Sequence, residues 1–160
     1  PTLQRVHAVV DDLADTLAHA RETTGYGRAI AAPQIGVLER IVVLRLPGEP
    51  VWALVNPVVV ARSPETYRVW DACLSFLCIF MQVERHRTVT VRYSDLGGVV
   101  REVHAGAERD LSELLQHELD HLDGILCLDR VPDLTSVCTR EEFERRYRAD
   151  SPYADAGGAA

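Results

Sequence analysis

The sequence is short of the features that take a chain to nucleic acid or across a membrane. Its 17 lysines and arginines are outnumbered by 24 aspartates and glutamates, for a net charge of −7 over 160 residues. No basic patch is present, so a direct nucleic-acid partner is not expected. No apolar run approaches the roughly 20 residues of a membrane span, so no membrane partner is expected either. The first residues, Pro1-Thr2-Leu3-Gln4-Arg5, carry no signal-peptide hydrophobic region, which points to a cytoplasmic location. There is no Cys-x-x-Cys pair, which excludes a four-cysteine zinc knot. The four cysteines, Cys73, Cys78, Cys127 and Cys138, are irregularly spaced in a chain that is not small, so buried thiols are expected rather than a disulfide framework. No repeat or linker divides the chain. A single domain over 1–150 is expected, with the small polar tail 151–160 frayed.

What is present is a compact set of metal-seeking side chains. Residues 115–124 read Leu-Gln-His-Glu-Leu-Asp-His-Leu-Asp-Gly. Leu111, Leu114, Leu115, Leu119 and Leu122 follow the spacing of a core-facing helical stripe. On that helix His117 and His121 share a face and can close on one metal ion, with Glu118 beside them as a base. A rotation of about 100° per residue puts both histidines at the edge of the leucine stripe and Glu118 inside it. The same rotation puts Glu113, Gln116 and Asp120 on the solvated side. A carboxylate on a buried face costs several kcal/mol unless paired or protonated, so Glu118 is either out of phase or functional. A catalytic metal usually takes three protein ligands and keeps one position for water. The third ligand is not fixed by this helix, and one of the cysteines is available for it.

The rest of the pattern predicts an α+β domain with this helix packed on a sheet. Val6, Val9, Val10, Leu13 and Leu17 mark an amphipathic helix ending before the loop at residues 23–27. Residues 41–46 and 51–60 read as strands joined by Pro47-Gly48-Glu49-Pro50, with Asn56-Pro57 marking an edge or a bulge. Residues 73–83, 89–93 and 99–103 form a further group, the last two a hairpin around Ser94–Gly98. Residues 125–131 are expected to close the core. Thr139 is expected to cap a final charged helix, with Glu141 and Glu142 in its first turn.

Three segments together resemble the peptide deformylase family: Gly27-Arg28-Ala29-Ile30-Ala31-Ala32-Pro33-Gln34, Asp71-Ala72-Cys73-Leu74-Ser75 and Gln116-His117-Glu118-Leu119-Asp120-His121. The third is intact and the first two are partial. With their order and spacing, the resemblance covers roughly residues 5–130. It implies a deformylase-like fold of mixed or antiparallel sheets around a central metal-binding helix. It implies Cys73 as the third ligand beside His117 and His121, and one divalent ion, ferrous iron natively, with zinc or nickel able to occupy the same site. In that family the metal lowers the pKa of its water and polarises the formyl oxygen. Glu118 would take the water's proton and give it to the leaving amine. Gln34 and the backbone N–H of Leu74 would stabilise the oxyanion. The implied substrate is the formylmethionyl end of a new polypeptide, which leaves as formate and a free amine. Either a monomer or a weak dimer is compatible with the chain.

The departures fall in the implied substrate groove, formed by Gly27, Arg28, Ala29, Ile30, Ala72 and Glu113. Ala29 and Ala72 stand where the family has glycine, which lets a substrate backbone come close. Asp71 replaces glutamate, and its expected arginine partner is Arg85. Arg28 and Glu113 stand where the family's methionine pocket is apolar. They either pair across that pocket or point to solvent. The implied readings are therefore formylmethionyl hydrolysis, hydrolysis of a non-methionine formamide or amide, or metal or peptide binding without catalysis.

Overall fold

The computed structural model describes residues 2–106 and 110–151. Its first element is helix α1, Leu3–Thr24, capped by Thr2, whose hydroxyl accepts from the Arg5 N–H. It stops at Gly25, whose φ of 76° is left-handed, a conformation glycine adopts without a Cβ penalty. Strands β1 (Ala29–Ala31), β2 (Ile41–Leu44), β3 (Trp52–Arg62), β6 (Val89–Ser94) and β7 (Val100–Ala105) make a five-stranded sheet in the order β1-β2-β3-β6-β7. Strands β4 (Thr66–Asp71), β5 (Ile79–His86) and β8 (Val137–Thr139) make a second sheet in the order β4-β5-β8. Every pairing is antiparallel. Helix α2 spans Leu111–Leu122 and α3 spans Arg140–Arg146.

The large sheet is covered on both faces, and the two-residue period of its strands sorts the side chains. Ala29, Ala31, Val42, Leu44 and Leu54 pack with Leu114, Leu115 and Leu119 of α2. Ile30, Ile41, Val43, Ala53 and Val55 pack with Val6, Val9, Val10, Leu13 and Leu17 of α1. This is why β2 reads as an unbroken Ile-Val-Val-Leu and is buried throughout. Helix α2 also touches β5 of the small sheet, so it lies between the two sheets with little of its surface in water.

Several sequence expectations need correction. Of the mixed or antiparallel sheets expected, the structure has the antiparallel kind throughout. Asn56-Pro57 does mark a bulge, with a register shift between Val55 and Val58 and a φ of 50° at Asn56. Strand β3 is nevertheless central, not an edge. The expected strand over 73–83 begins only at Ile79, after a 3-10 turn at Leu74–Phe76. Its partner β4 was not anticipated. The aspartate that ends β4 is buried, which blurs the alternation that would have marked a strand. The segment 125–131 closes the core through buried Cys127 and partly buried Val131, with Leu126 and Leu128 exposed. Cys127 is a buried thiol as expected, whereas Cys138 is half-buried and Cys78 exposed. Thr139 does cap α3, accepting from the Glu142 N–H. Residues 152–160 of the expected tail lie outside the described residues. Among the described residues no helix is long and apolar enough to cross a membrane.

Candidate metal centre and its cleft

Helix α2 is pinned by its leucines, and that phase turns His117, His121 and Glu118 inward. Their exposures are 5%, 7% and 3%. Cys73 arrives from the other direction, two residues beyond the end of β4, where its carbonyl accepts from Phe76 N–H to start the 3-10 turn. Its Sγ lies 3.3 Å from His121 Nε2, which lies 3.0 Å from His117 Nε2. The three ligand atoms fall within 4.8 Å of one another. One thiolate and two imidazole nitrogens converging in a buried spot are a donor set suited to a divalent transition metal.

The surroundings favour the ligating thiolate of Cys73. Burial alone pushes the Cys73 thiol up, but hydrogen bonds with His117 and His121 outweigh it and leave the pKa at about 6. Cys127, also buried and close to Asp71 and His117, is pushed far the other way by burial and remains a thiol. Behind the ligands, His117 Nδ1 faces Asp71 Oδ1 at 2.8 Å, which turns Nε2 towards Cys73 and His121. Asp71 Oδ2 accepts from Arg85 Nη2 at 2.9 Å. Arg85 Nη1 donates to Asp120, which also binds Arg130 at 2.7 Å. Burial would raise the Asp71 carboxyl, but His117 and then Arg85 hold it well below the usual carboxylate range. The Asp71–Arg85 pair was expected. The contact of Asp71 with His117 was not, and Asp120, expected in solvent, is part of this brace.

Glu118 stands beside the ligands with Oε2 buried and without a hydrogen-bond partner among the described residues. Burial raises its pKa to about 7 against the pull of both histidines. Gln34 sits in a 3-10 turn, Ala32–Ile35. Its Oε1 accepts from Ala31 N–H at 2.9 Å, and its Nε2 donates to Ser75 Oγ at 3.2 Å and approaches Cys73 Sγ at 3.6 Å. The amide is thus held in place with its nitrogen at the metal ligands, and Ser75 has a positioning role. The Leu74 N–H opens its 3-10 turn, where backbone donors lack intrahelical partners.

These groups line one cleft. Its wall includes Gly27, Arg28, Ala29 and Ala72, and its floor His117 and Glu118; Gln34 and Leu74 line it as well. Glu113 also lines it, 1% exposed, so of the two expected readings the structure has the pair with Arg28 and not the solvated side of the helical wheel. Glu113 Oε2 accepts from Arg28 Nη2 at 2.7 Å. Burial raises the Glu113 carboxyl, and the Arg28 charge opposes that. Ile30 was expected in the groove but packs against α1 instead, because alternate residues of β1 face opposite sides of the sheet. Gly27 has a local reason to be glycine: its φ is 135° and a Cβ would lie 3.1 Å from Leu17 Cδ1.

Residues 2–137 match the family model described as polypeptide deformylase. A peptide deformylase of Thermotoga neapolitana is 40% identical over 117 residues, covering 73% of this chain and 70% of that protein. One from Caldicellulosiruptor bescii is 38% identical over 147 residues, covering 92% of this chain and 82% of that protein. The crystal structure of peptide deformylase from Thermus thermophilus superimposes with a TM-score of 0.75 at 28% identity, covering 98% of this chain and 86% of the other. The converging thiol and imidazoles, the inward glutamate and these matches over most of the chain lead to one conclusion: the chain belongs to the polypeptide deformylase family.

Proposed function

We propose that this chain hydrolyses the N-formyl amide of peptides, releasing formate and a free amine. The observation that carries the reading is Glu118, its Oε2 buried and without a hydrogen-bond partner among the described residues, beside a thiol and two imidazoles whose ligand atoms lie within 4.8 Å of one another. In the family the substrate is the formylmethionyl end of a new polypeptide. The metal would be held by Cys73, His117 and His121 and would supply Lewis acidity to the attacking water and the formyl oxygen. Ferrous iron is the proposed native ion, with zinc or nickel able to take the same donors.

Glu118 is the general base. A carboxyl raised to about 7 accepts the proton of the attacking water near neutral pH and returns it to the leaving nitrogen as the C–N bond breaks. Gln34 Nε2 and Leu74 N–H stabilise the negative oxygen that develops on the formyl carbon. Asp71 keeps His117 in the tautomer whose Nε2 is a ligand. The rest of the proposal follows the sequence: a single domain acting in the cytoplasm, monomeric or weakly dimeric, with no nucleic acid or membrane partner.

The test is formate release from formyl-Met-Ala-Ser and formyl-Ala-Ala-Ser by protein loaded anaerobically with ferrous iron. Turnover of either supports the reading. A protein that holds one metal ion per chain and releases no formate from either would refute it.

A further inference from the structure

The cleft beside the metal ligands ends on a buried ion pair. Arg28 enters from the residues before β1, and Glu113 from the first turn of α2, one turn ahead of His117. Their side chains keep only 12% and 1% exposure, with Nη2 and Oε2 2.7 Å apart. A group that lies at Glu118 and His117 with its amide at the metal ligands therefore has its neighbouring side chain directed at Arg28 and Glu113, because these residues line the same cleft.

The whole cleft has a cavity volume of only about 30 Å³, the room of one or two water molecules. A long side chain can enter in two ways. It can separate Arg28 from Glu113 and leave a buried carboxylate without its partner, a costly change. Or it can leave the pair intact and displace the water that still reaches the guanidinium, giving no polar group in exchange. Both penalties grow with the length of an apolar side chain. Neither applies to a hydrogen, a methyl or a hydroxymethyl group.

We infer that Arg28 and Glu113 form a polar stop in this cleft, so that the enzyme prefers N-formyl amides with a short adjoining side chain, such as glycine, alanine or serine, to those of methionine. This inference rests on the deformylase reading above. It gives Arg28 and Glu113 a role in specificity, separate from the bond-breaking groups.

The experiment compares kcat/KM of the metal-loaded protein on formyl-Gly-, formyl-Ala-, formyl-Ser- and formyl-Met-Ala-Ser peptides. The expected order places alanine and serine above methionine by about tenfold or more, the scale on which a pocket discriminates side-chain size. The double variant Arg28→Ile/Glu113→Ile removes both charges together, so neither is left buried alone, and it should reverse that order. Wild-type protein that uses the methionine peptide as well as or better than the alanine peptide overturns the inference and leaves the deformylase reading standing. A double variant that folds and keeps the wild-type order also overturns it. If the double variant does not fold, the wild-type order decides. Metal-loaded protein that turns over none of the four peptides removes the deformylase reading and this inference with it.

Discussion

The floor of the cleft and its far wall carry charge in different ways. On the floor, Cys73, His117, His121 and Glu118 stand over a relay of Asp71, Arg85, Asp120 and Arg130 in which each charge meets an opposite one. All of them lie within the three family segments except Arg85 and Arg130, which pair directly with Asp71 and Asp120. On the wall, Arg28 and Glu113 also satisfy each other, but the resemblance implies apolar residues at their positions and glycine at those of Ala29 and Ala72. The floor holds atoms that must sit in fixed places for one reaction. The wall only has to fit what the reaction is done to. The first is therefore maintained as a network, and the second can change in pairs without unfolding the protein.

The strongest way to break this division is at Glu118. Glu118→Gln keeps the shape and removes the base, so kcat should fall about 10²- to 10⁴-fold while metal content stays near one ion per chain. Activity within about tenfold of wild type would move the base elsewhere and empty the floor of its main role. Arg85→Met tests the brace. It leaves Asp71 buried against His117 without its cation, and stability should fall by about 3–5 kcal/mol, read as the urea midpoint of the metal-loaded protein. Asp71 has a depressed folded-state pKa. The stability it contributes is therefore present above the ordinary carboxylate value of about 3.9 and is lost as pH falls below it. In Arg85→Met the folded-state value moves up towards the unfolded one, so less stability is lost on the acid limb and the loss is complete at a higher pH. An unchanged acid limb would separate Asp71 from Arg85.

Gln34→Ala should lower kcat about 10²- to 10³-fold, the scale for one oxyanion donor, with smaller change in KM. If KM rises while kcat holds, Gln34 binds substrate instead and belongs with the wall. The comparison is sharpened because Gln34 touches both regions: its oxygen is tied to Ala31 at the end of β1 and its nitrogen lies by Cys73.

Much of the floor was legible in the sequence because local order dictates it. His117, Glu118 and His121 are spaced for one helix, and the leucine stripe fixes how that helix turns. Cys73 and Gln34 lie far away in the chain, and only their resemblance to family segments tied them to the helix. The wall was misread for a reason rooted in packing. A helical wheel assumes one wet side, and α2 lies between two sheets. Glu113 therefore went to solvent on paper and into the core in the structure. Ile30 failed differently: adjacent positions of a motif alternate sides in β1, so a run of groove-like residues cannot all face the groove. Strand β4 was missed because its last residue, Asp71, is buried by ion pairing with Arg85 and His117, which hydrophobic pattern does not encode.

The smallest expected effect is the control that keeps stability apart from chemistry. Helix α3 lies away from the metal ligands and is anchored by Phe143, which stacks on Phe80 with ring centroids 4.1 Å apart. Its start is held by the Thr139 hydroxyl, which accepts from Glu142 N–H at 3.3 Å. Thr139→Ala leaves that donor to water and should cost about 1 kcal/mol, with kcat/KM on formyl peptides unchanged at temperatures well below the unfolding midpoint. Helix α3 connects to the cleft through Tyr26, which lines it and whose hydroxyl hydrogen-bonds Glu144, and through Phe143, whose cluster packs against Ala72, Leu74 and Leu77. If Thr139→Ala shifts the preference between the alanine and methionine peptides, that connection is active and the wall extends as far as α3. If the preference holds while the midpoint drops, the wall ends at Arg28 and Glu113.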